Sequence, residues 1–204
     1  MKYLIISSLL LLVCSTNNFG QASSQNNDPK SNFYLGYDLG EMAFNKFQNF
    51  AGEVGFNLKN QHAIRFVYLN IKLTEDHLSS DFARAVDGDN VTGHWVGYEL
   101  FYDVPLYRFK NGDTYIYGGL SAGYHKNSYE HTVLAESFDH QTGTVGLGVG
   151  FRDTNVFGIK GLYMNFQIPV RYNFNKLEET KLGNSTVNKV VVDQTISFFV
   201  GYEF

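Results

Sequence analysis

Cysteine is all but missing from this sequence: Cys14 is the only one in 204 residues. It sits in an apolar stretch near the N-terminus, so the rest of the chain can form no disulfide and offers no thiolate to a metal or a reaction centre. Proline is nearly as scarce, with three residues, which leaves few forced breaks in backbone pairing. The one stretch suggestive of a membrane helix, Leu4 to Val13, falls short of the about 20 apolar residues a spanning helix needs. A strongly basic balance is also absent. The formal net charge is −4, and a weakly acidic chain lacks the electrostatic footprint of a nucleic-acid binder.

What the sequence has in quantity is glycine, with 20 residues, and aromatic side chains, at 16%. Glycine with tyrosine and phenylalanine suits strands better than helices. Mean hydropathy is −0.21. That value is compatible with a membrane-embedded β-barrel, because half of such a barrel's strand residues face a polar interior.

The N-terminus reads as an export signal. Lys2 provides the positive start, Leu4 to Val13 the apolar centre, and Asn18 to Ala22 a small-residue cleavage region. Cleavage after Gly20 or Ala22 gives a signal peptide of about residues 1–21. A lipoprotein reading places a lipid on Cys14, against which stands the bulky Val13 before it. Residues 22–31 are polar and aperiodic, a flexible lead-in. Residues 32–204 form the remaining single domain.

The last twelve residues, Asp193 to Phe204, set the pattern. Ile196, Phe198, Val200, Tyr202 and Phe204 alternate with residues that are small or polar, Phe199 excepted. A period of two is a strand with one apolar face. With its terminal Phe204 preceded by Phe198, Val200 and Tyr202, this stretch resembles the C-terminal signal of bacterial outer-membrane β-barrel proteins. The resemblance implies recognition by the barrel-insertion machinery.

Seven similar segments precede it. They begin at Phe33 (to about Phe44), Phe50 (to Leu58), Ala63 (to Leu73), Gly93 (to Val104), Thr114 (to Tyr124), Thr142 (to Arg152) and Gly161 (to Phe174). In the third, Ile64, Phe66 and Tyr68 share one face while Leu69, Ile71 and Leu73 share the other, so a bulge near Tyr68 is expected. Connections alternate in length. Lys59–His62, Pro105–Asp113 and Asp153–Lys160 are short, whereas Thr74–Thr92, His125–Gln141 and Asn175–Lys189 are long and polar. Short turns at one end and long loops at the other is the outer-membrane arrangement. The expectation is therefore an all-β fold, an eight-stranded antiparallel up-and-down transmembrane β-barrel. It resembles the small outer-membrane barrels of the OmpX, OmpW and OmpA-transmembrane-domain kind, which implies an outer-membrane location.

An eight-stranded ring has an interior just wide enough for side chains, which argues against a wide porin. The inward positions carry Asp38, Glu53, Glu99, Asp103 and Glu203 against Arg65, Arg152 and Arg171. Buried charge left unpaired is costly, so these residues are expected to pair and plug the lumen. Gly146, Gly148 and Gly150 are not followed by the Lys-Ser/Thr of a phosphate loop, and are expected to make room for Tyr163 or Trp95.

Other chemistries are weakly signalled. His125, Ser128, His131 and His140, with Glu130 or Glu136, hold the residue types of an acyl-transfer site, as do His77, Ser79 and Ser80. His125, His131, Glu130 and Asp139 hold those of a metal site. Asp76, Asp81, Asp87 and Asp89 loosely echo a calcium loop but lack its spacing and distal Glu. The expectation is no enzyme activity, no cofactor, lipid and lipopolysaccharide as surroundings, and a monomer. A structural or surface-interaction role leads. A narrow channel for small apolar solutes and a lipid A-modifying enzyme are the alternatives.

Overall fold

The computed structural model describes residues 32–40, 49–58, 61–79 and 85–204. The expected signal peptide and lead-in, residues 1–31, lie outside the described residues, as does most of the connection between the first two strands.

Twelve strands are present among the described residues: β1 Asn32–Asp38, β2 Phe50–Asn57, β3 Ala63–Leu73, β4 Val86–Asp87, β5 Val91–Arg108, β6 Thr114–His131, β7 Ser137–Asp153, β8 Leu162–Leu177, β9 Thr180–Leu182, β10 Ser185–Val187, β11 Val190–Gln194 and β12 Ser197–Glu203. A short helix, α1, spans Glu75–Ser79. Each long strand pairs antiparallel with its neighbour, and the ring closes where β12 pairs with both β8 and β1. Counting β11 and β12 as one interrupted strand gives eight positions around the ring. Closure matters physically, because a sheet in lipid has no water to satisfy open edges.

The break between β11 and β12 has a local cause. Pro169 of β8 faces Thr195, and its carbonyl accepts the Thr195 N–H at 3.2 Å. Proline has no N–H to return the bond, so one rung of the ladder is missing while the register on either side continues.

Side chains alternate around the ring as the sequence pattern requires. Phe33, Leu35, Val54, Phe56, Ile64, Phe66, Leu100, Leu120, Val145, Leu147, Phe166 and Ile168 all face outward and are exposed. An apolar surface that encircles the molecule far exceeds the patches tolerated on water-soluble monomers. It matches the outward apolar band of a transmembrane β-barrel. Aromatic rings edge this belt at both ends. Phe66, Tyr98 and Tyr124 form a row of stacked rings toward the loop end, and Phe33 meets Phe204 at 6.2 Å toward the turn end.

Three sequence expectations are corrected. The bulge is not near Tyr68: β3 keeps one register with both neighbours, and Val67, Leu69, Ile71 and Leu73 stay inside together with Arg65. The irregularity falls instead between Pro105 and Tyr107 of β5, where Leu106 is the extra residue opposite β6. Pro105 again lacks the N–H a regular ladder needs, and the flip turns Tyr107 outward. Second, His125–Gln141 is not a long loop. β6 and β7 run on as a paired hairpin through Glu130 and Ser137 to a tight turn. Third, Gly150 makes room for Tyr117, whose ring would overlap a Cβ there, rather than for Tyr163 or Trp95.

The long connections at the loop end are folded. β4, β10 and β9 form a small sheet. With α1 they bury Leu78, Val86, Leu182 and Val187 in one apolar cluster with the upper lumen residues Val67, Leu69, Ile71 and Phe199. That explains why β3 is apolar on its inner face. The cap covers this half of the lumen, and the apolar side chains of β3 and β12 fill the side that packs against it.

Candidate functional site: the barrel interior

The polar residues of the lumen come from strands on opposite sides of the ring and meet on the axis. Near the turn end, Arg152 of β7 reaches Glu203 of β12 at 2.8 Å. Its guanidinium carbon lies 3.8 Å from the Tyr34 ring centre and 4.2 Å from that of Tyr163, held between two aromatic faces. Asn57 donates to the same Glu203 oxygen at 3.3 Å.

One level up, Arg65 of β3 is the hub. Its Nε donates to Asp103 at 2.5 Å, one terminal nitrogen to Glu53 at 2.8 Å, and the other to Gln167 at 2.5 Å. Tyr163 donates to the second Glu53 oxygen at 2.8 Å, and Tyr117 to Asn165 at 2.7 Å. Arg65 is 1% exposed and Glu53 2%. In so dry a place a charge-assisted fork of this kind holds its members in one geometry.

Higher still, Arg171 of β8 pairs with Glu99 of β5 at 2.8 Å and donates to Thr195 at 2.9 Å, with Asp193 at 3.5 Å. Above this level Trp95 donates its indole N–H to His125 Nδ1 at 3.1 Å.

Asp38, Glu53, Arg65, Glu99, Asp103, Arg152, Arg171 and Glu203 lie on the inner face of the ring. Glu53, Arg65 and Asp103 share one cluster, Glu99 and Arg171 a second, Arg152 and Glu203 a third. Asp38 is buried near the loop end, where its Oδ1 accepts the N–H of Gly40 and of Phe198. It fastens β1 to β12. Tyr34, Tyr117, Tyr163, Asn165 and Gln167 complete the network. Their strand phase places them inside, but charge alone singled out only the ionic residues. The four residues of the expected C-terminal signal, Phe198, Val200, Tyr202 and Phe204, all lie on the lipid face.

The other constellations do not assemble. His125 points into the lumen, whereas Ser128 is on the opposite face of β6, level with Asp139. His131 Nδ1 already accepts the N–H groups of Val133 and Leu134. Glu130 is exposed, and Asp139 pairs with Lys126 at 2.6 Å, which holds its carboxyl below the usual range. Among the described residues no group of three His, Cys, Asp or Glu side chains converges as a metal site. Ser79 donates to the Glu75 carbonyl within α1, and Ser80 and Asp81 lie outside the described residues. The run Asp87-Gly88-Asp89-Asn90 is a turn: Gly88 and Asn90 have positive φ, and the Asn90 N–H reaches Glu75 at 2.7 Å.

The voids left between these layers are small. One, beside Asp103, Tyr115, Tyr117 and Arg152, measures about 10 Å³, and one beside Trp95, Gln167 and Arg171 is the same size. Each is about the room of one water.

No family model matches the chain. No curated protein matches it. Two solved structures align with it. Ail, the attachment invasion locus protein of Yersinia pestis, aligns at a TM-score of 0.45 and 13% identity over 87% of this chain and 100% of that one. A major outer membrane protein from Thermus thermophilus aligns at 0.41 and 13% identity over 85% and 98%. The fold follows from the strand pairing itself. This chain is an eight-stranded membrane β-barrel.

Proposed function

We propose that this protein is a non-conducting outer-membrane barrel, plugged by its own side chains, that acts as a structural element of the membrane and as a carrier for its folded loop end. The observation that carries the reading is the Arg65 hub. One guanidinium joins β2, β3, β5 and β8 across the lumen through Glu53, Asp103 and Gln167. Opening a pore at that level requires breaking a charge-assisted network in a dry site, and voids on either side hold no more than a water. Short turns at one end and a folded cap at the other support an orientation with the cap toward the outside.

An apolar-solute channel is disfavoured because Val67, Leu69, Ile71 and Phe199 fill the upper lumen against the cap. Lipid A chemistry is disfavoured because His125 and Ser128 lie on opposite faces of one strand. In this reading the terminal face of Phe198, Val200, Tyr202 and Phe204 is what the insertion machinery recognises, and the assembled barrel is a monomer in lipid and lipopolysaccharide.

The test is a planar-bilayer recording with the refolded protein. The expected trace stays at baseline. Large, steady, single-channel steps would contradict the plugged reading.

A further inference from the structure

We propose that the inner wall formed by β5, β6 and β7 holds an enclosed file of ordered water running from Ser121 to His140. The inference goes beyond the plugged reading and assigns a ligand to a part of the lumen that the ion pairs do not use.

Six buried polar atoms on this wall make no hydrogen bond to the protein: Ser121 Oγ, Glu99 Oε1, Thr144 Oγ1, His125 Nε2, and both ring nitrogens of His140. Their residues fall on four successive rungs. Ser121 pairs with Gly146, Glu99 with Gly123 and so with Thr144, His125 with Thr142, and Asn127 with His140. Inward rungs are about 7 Å apart along a strand, so the atoms span about 20 Å. Glycine brings two of them together. A Cβ on Gly123 would lie 3.0 Å from His125 Nε2 and 3.1 Å from the Glu99 side chain, so these two groups crowd the same point on the wall.

The chemistry of the atoms selects the ligand. Trp95 can only donate, and it donates to His125 Nδ1 at 3.1 Å. The proton of a neutral ring is then on Nε2, which needs an acceptor. Glu99 Oε1 needs donors, and the two hydroxyls serve as either. Glu99 is already paired with Arg171 at 2.8 Å, so the wall is neutral in sum. A cation would meet Arg171 and an anion would meet Glu99. A small neutral molecule that both donates and accepts suits every member, and buried polar groups of native proteins are satisfied in this way.

The file is blind at its lower end. Phe101, paired with Ser121 across β5 and β6, closes the lumen at that rung, with the Arg65 guanidinium 4.3 Å from its ring centre and the Arg65 hub beyond. Toward the loop end the stacked pair Tyr129 and Phe138 stands above His140, their centroids 5.1 Å apart. Water is therefore held there and does not flow through, which leaves the bilayer recording unaffected by the fate of this inference.

The test uses the full barrel in lipid nanodiscs with ¹⁵N-labelled histidine. The expected result is a neutral His125 with its proton on Nε2, and cross-relaxation between that proton and water. A proton on Nδ1, or an Nε2 proton with no water contact, would overturn the proposal. Thr144→Val adds a second readout. If the hydroxyl joins the file, the variant loses water cross-relaxation at His125 and its unfolding midpoint drops by about 2–4 °C. If the site is dry, the isosteric valine leaves His125 unchanged and raises the midpoint, and the proposal fails.

Discussion

Arg65→Met is expected to destabilise the barrel by about 3–5 kcal/mol, the cost typical of removing one partner from a buried ion pair. The loss is not the worth of the contact itself. Glu53 and Asp103 stay behind, buried to 2% and 5% exposure, with no cation to balance them. The groups around them are set for an arginine: Gln167 accepts from Arg65 at 2.5 Å, and Tyr163 donates to the Glu53 oxygen that Arg65 leaves open at 2.8 Å. The measurement is urea unfolding of the refolded protein in lipid vesicles. Adding Glu53→Gln and Asp103→Asn to Arg65→Met is expected to restore much of the loss, since neutral partners no longer strand a charge. An Arg65→Met variant as stable as the wild type would mean that the hub does not hold the lumen together.

The second large effect is on the opposite face of the sheet. Leu120→Arg is expected to cost about 2–4 kcal/mol, the depth-dependent penalty of a cation on the lipid side near the bilayer midplane. Leu120 is 59% exposed and lies between Tyr102 and Leu147 on neighbouring strands, all three facing outward. It is midway between the ring of Tyr124 and the turn-end residues Phe109 and Phe151, so the arginine cannot easily reach either interface. In a water-soluble barrel the same substitution on an exposed leucine would be nearly neutral or favourable. Vesicle-based unfolding and the yield of membrane-inserted protein both read the difference. The two substitutions act on different sides of the wall and share no partner, so their effects are expected to add.

Much of this architecture is legible in the amino-acid order because the side-chain period of a strand is two. Phe33, Leu35 and Tyr37 against Tyr34, Gly36 and Asp38 is enough to assign the two faces of β1. The inward arginines and carboxylates follow from the same phase. What the sequence conceals are features set by partners distant in the chain. Val67, Leu69, Ile71 and Leu73 look misplaced on a polar inner face until α1, β4, β9 and β10 are seen to fold over the mouth and pack against them. The hairpin from His125 to Gln141 is polar on its outer face because it stands clear of the lipid, and polarity alone made it look like a loop. The bulge at Pro105–Tyr107 shows only as a change of phase, from outward Leu100 and Tyr102 to outward Tyr107 and Phe109, in a stretch whose polar and turn-forming residues read as a connection. Which arginine meets which carboxylate depends on the stagger of the ring: Arg65 reaches Gln167, 102 residues away.

The account stands on the outward belt facing lipid. The most direct measurement places the only tryptophan of the chain on that belt. Trp95 lies inside the barrel, so the double substitution Trp95→Phe and Leu120→Trp moves the fluorophore from lumen to surface. Refolded into vesicles whose acyl chains carry bromine at mid-depth, the protein should show strongly quenched emission and no quenching by aqueous iodide. Emission untouched by the brominated lipid and quenched by iodide would contradict the belt, and the membrane barrel with it.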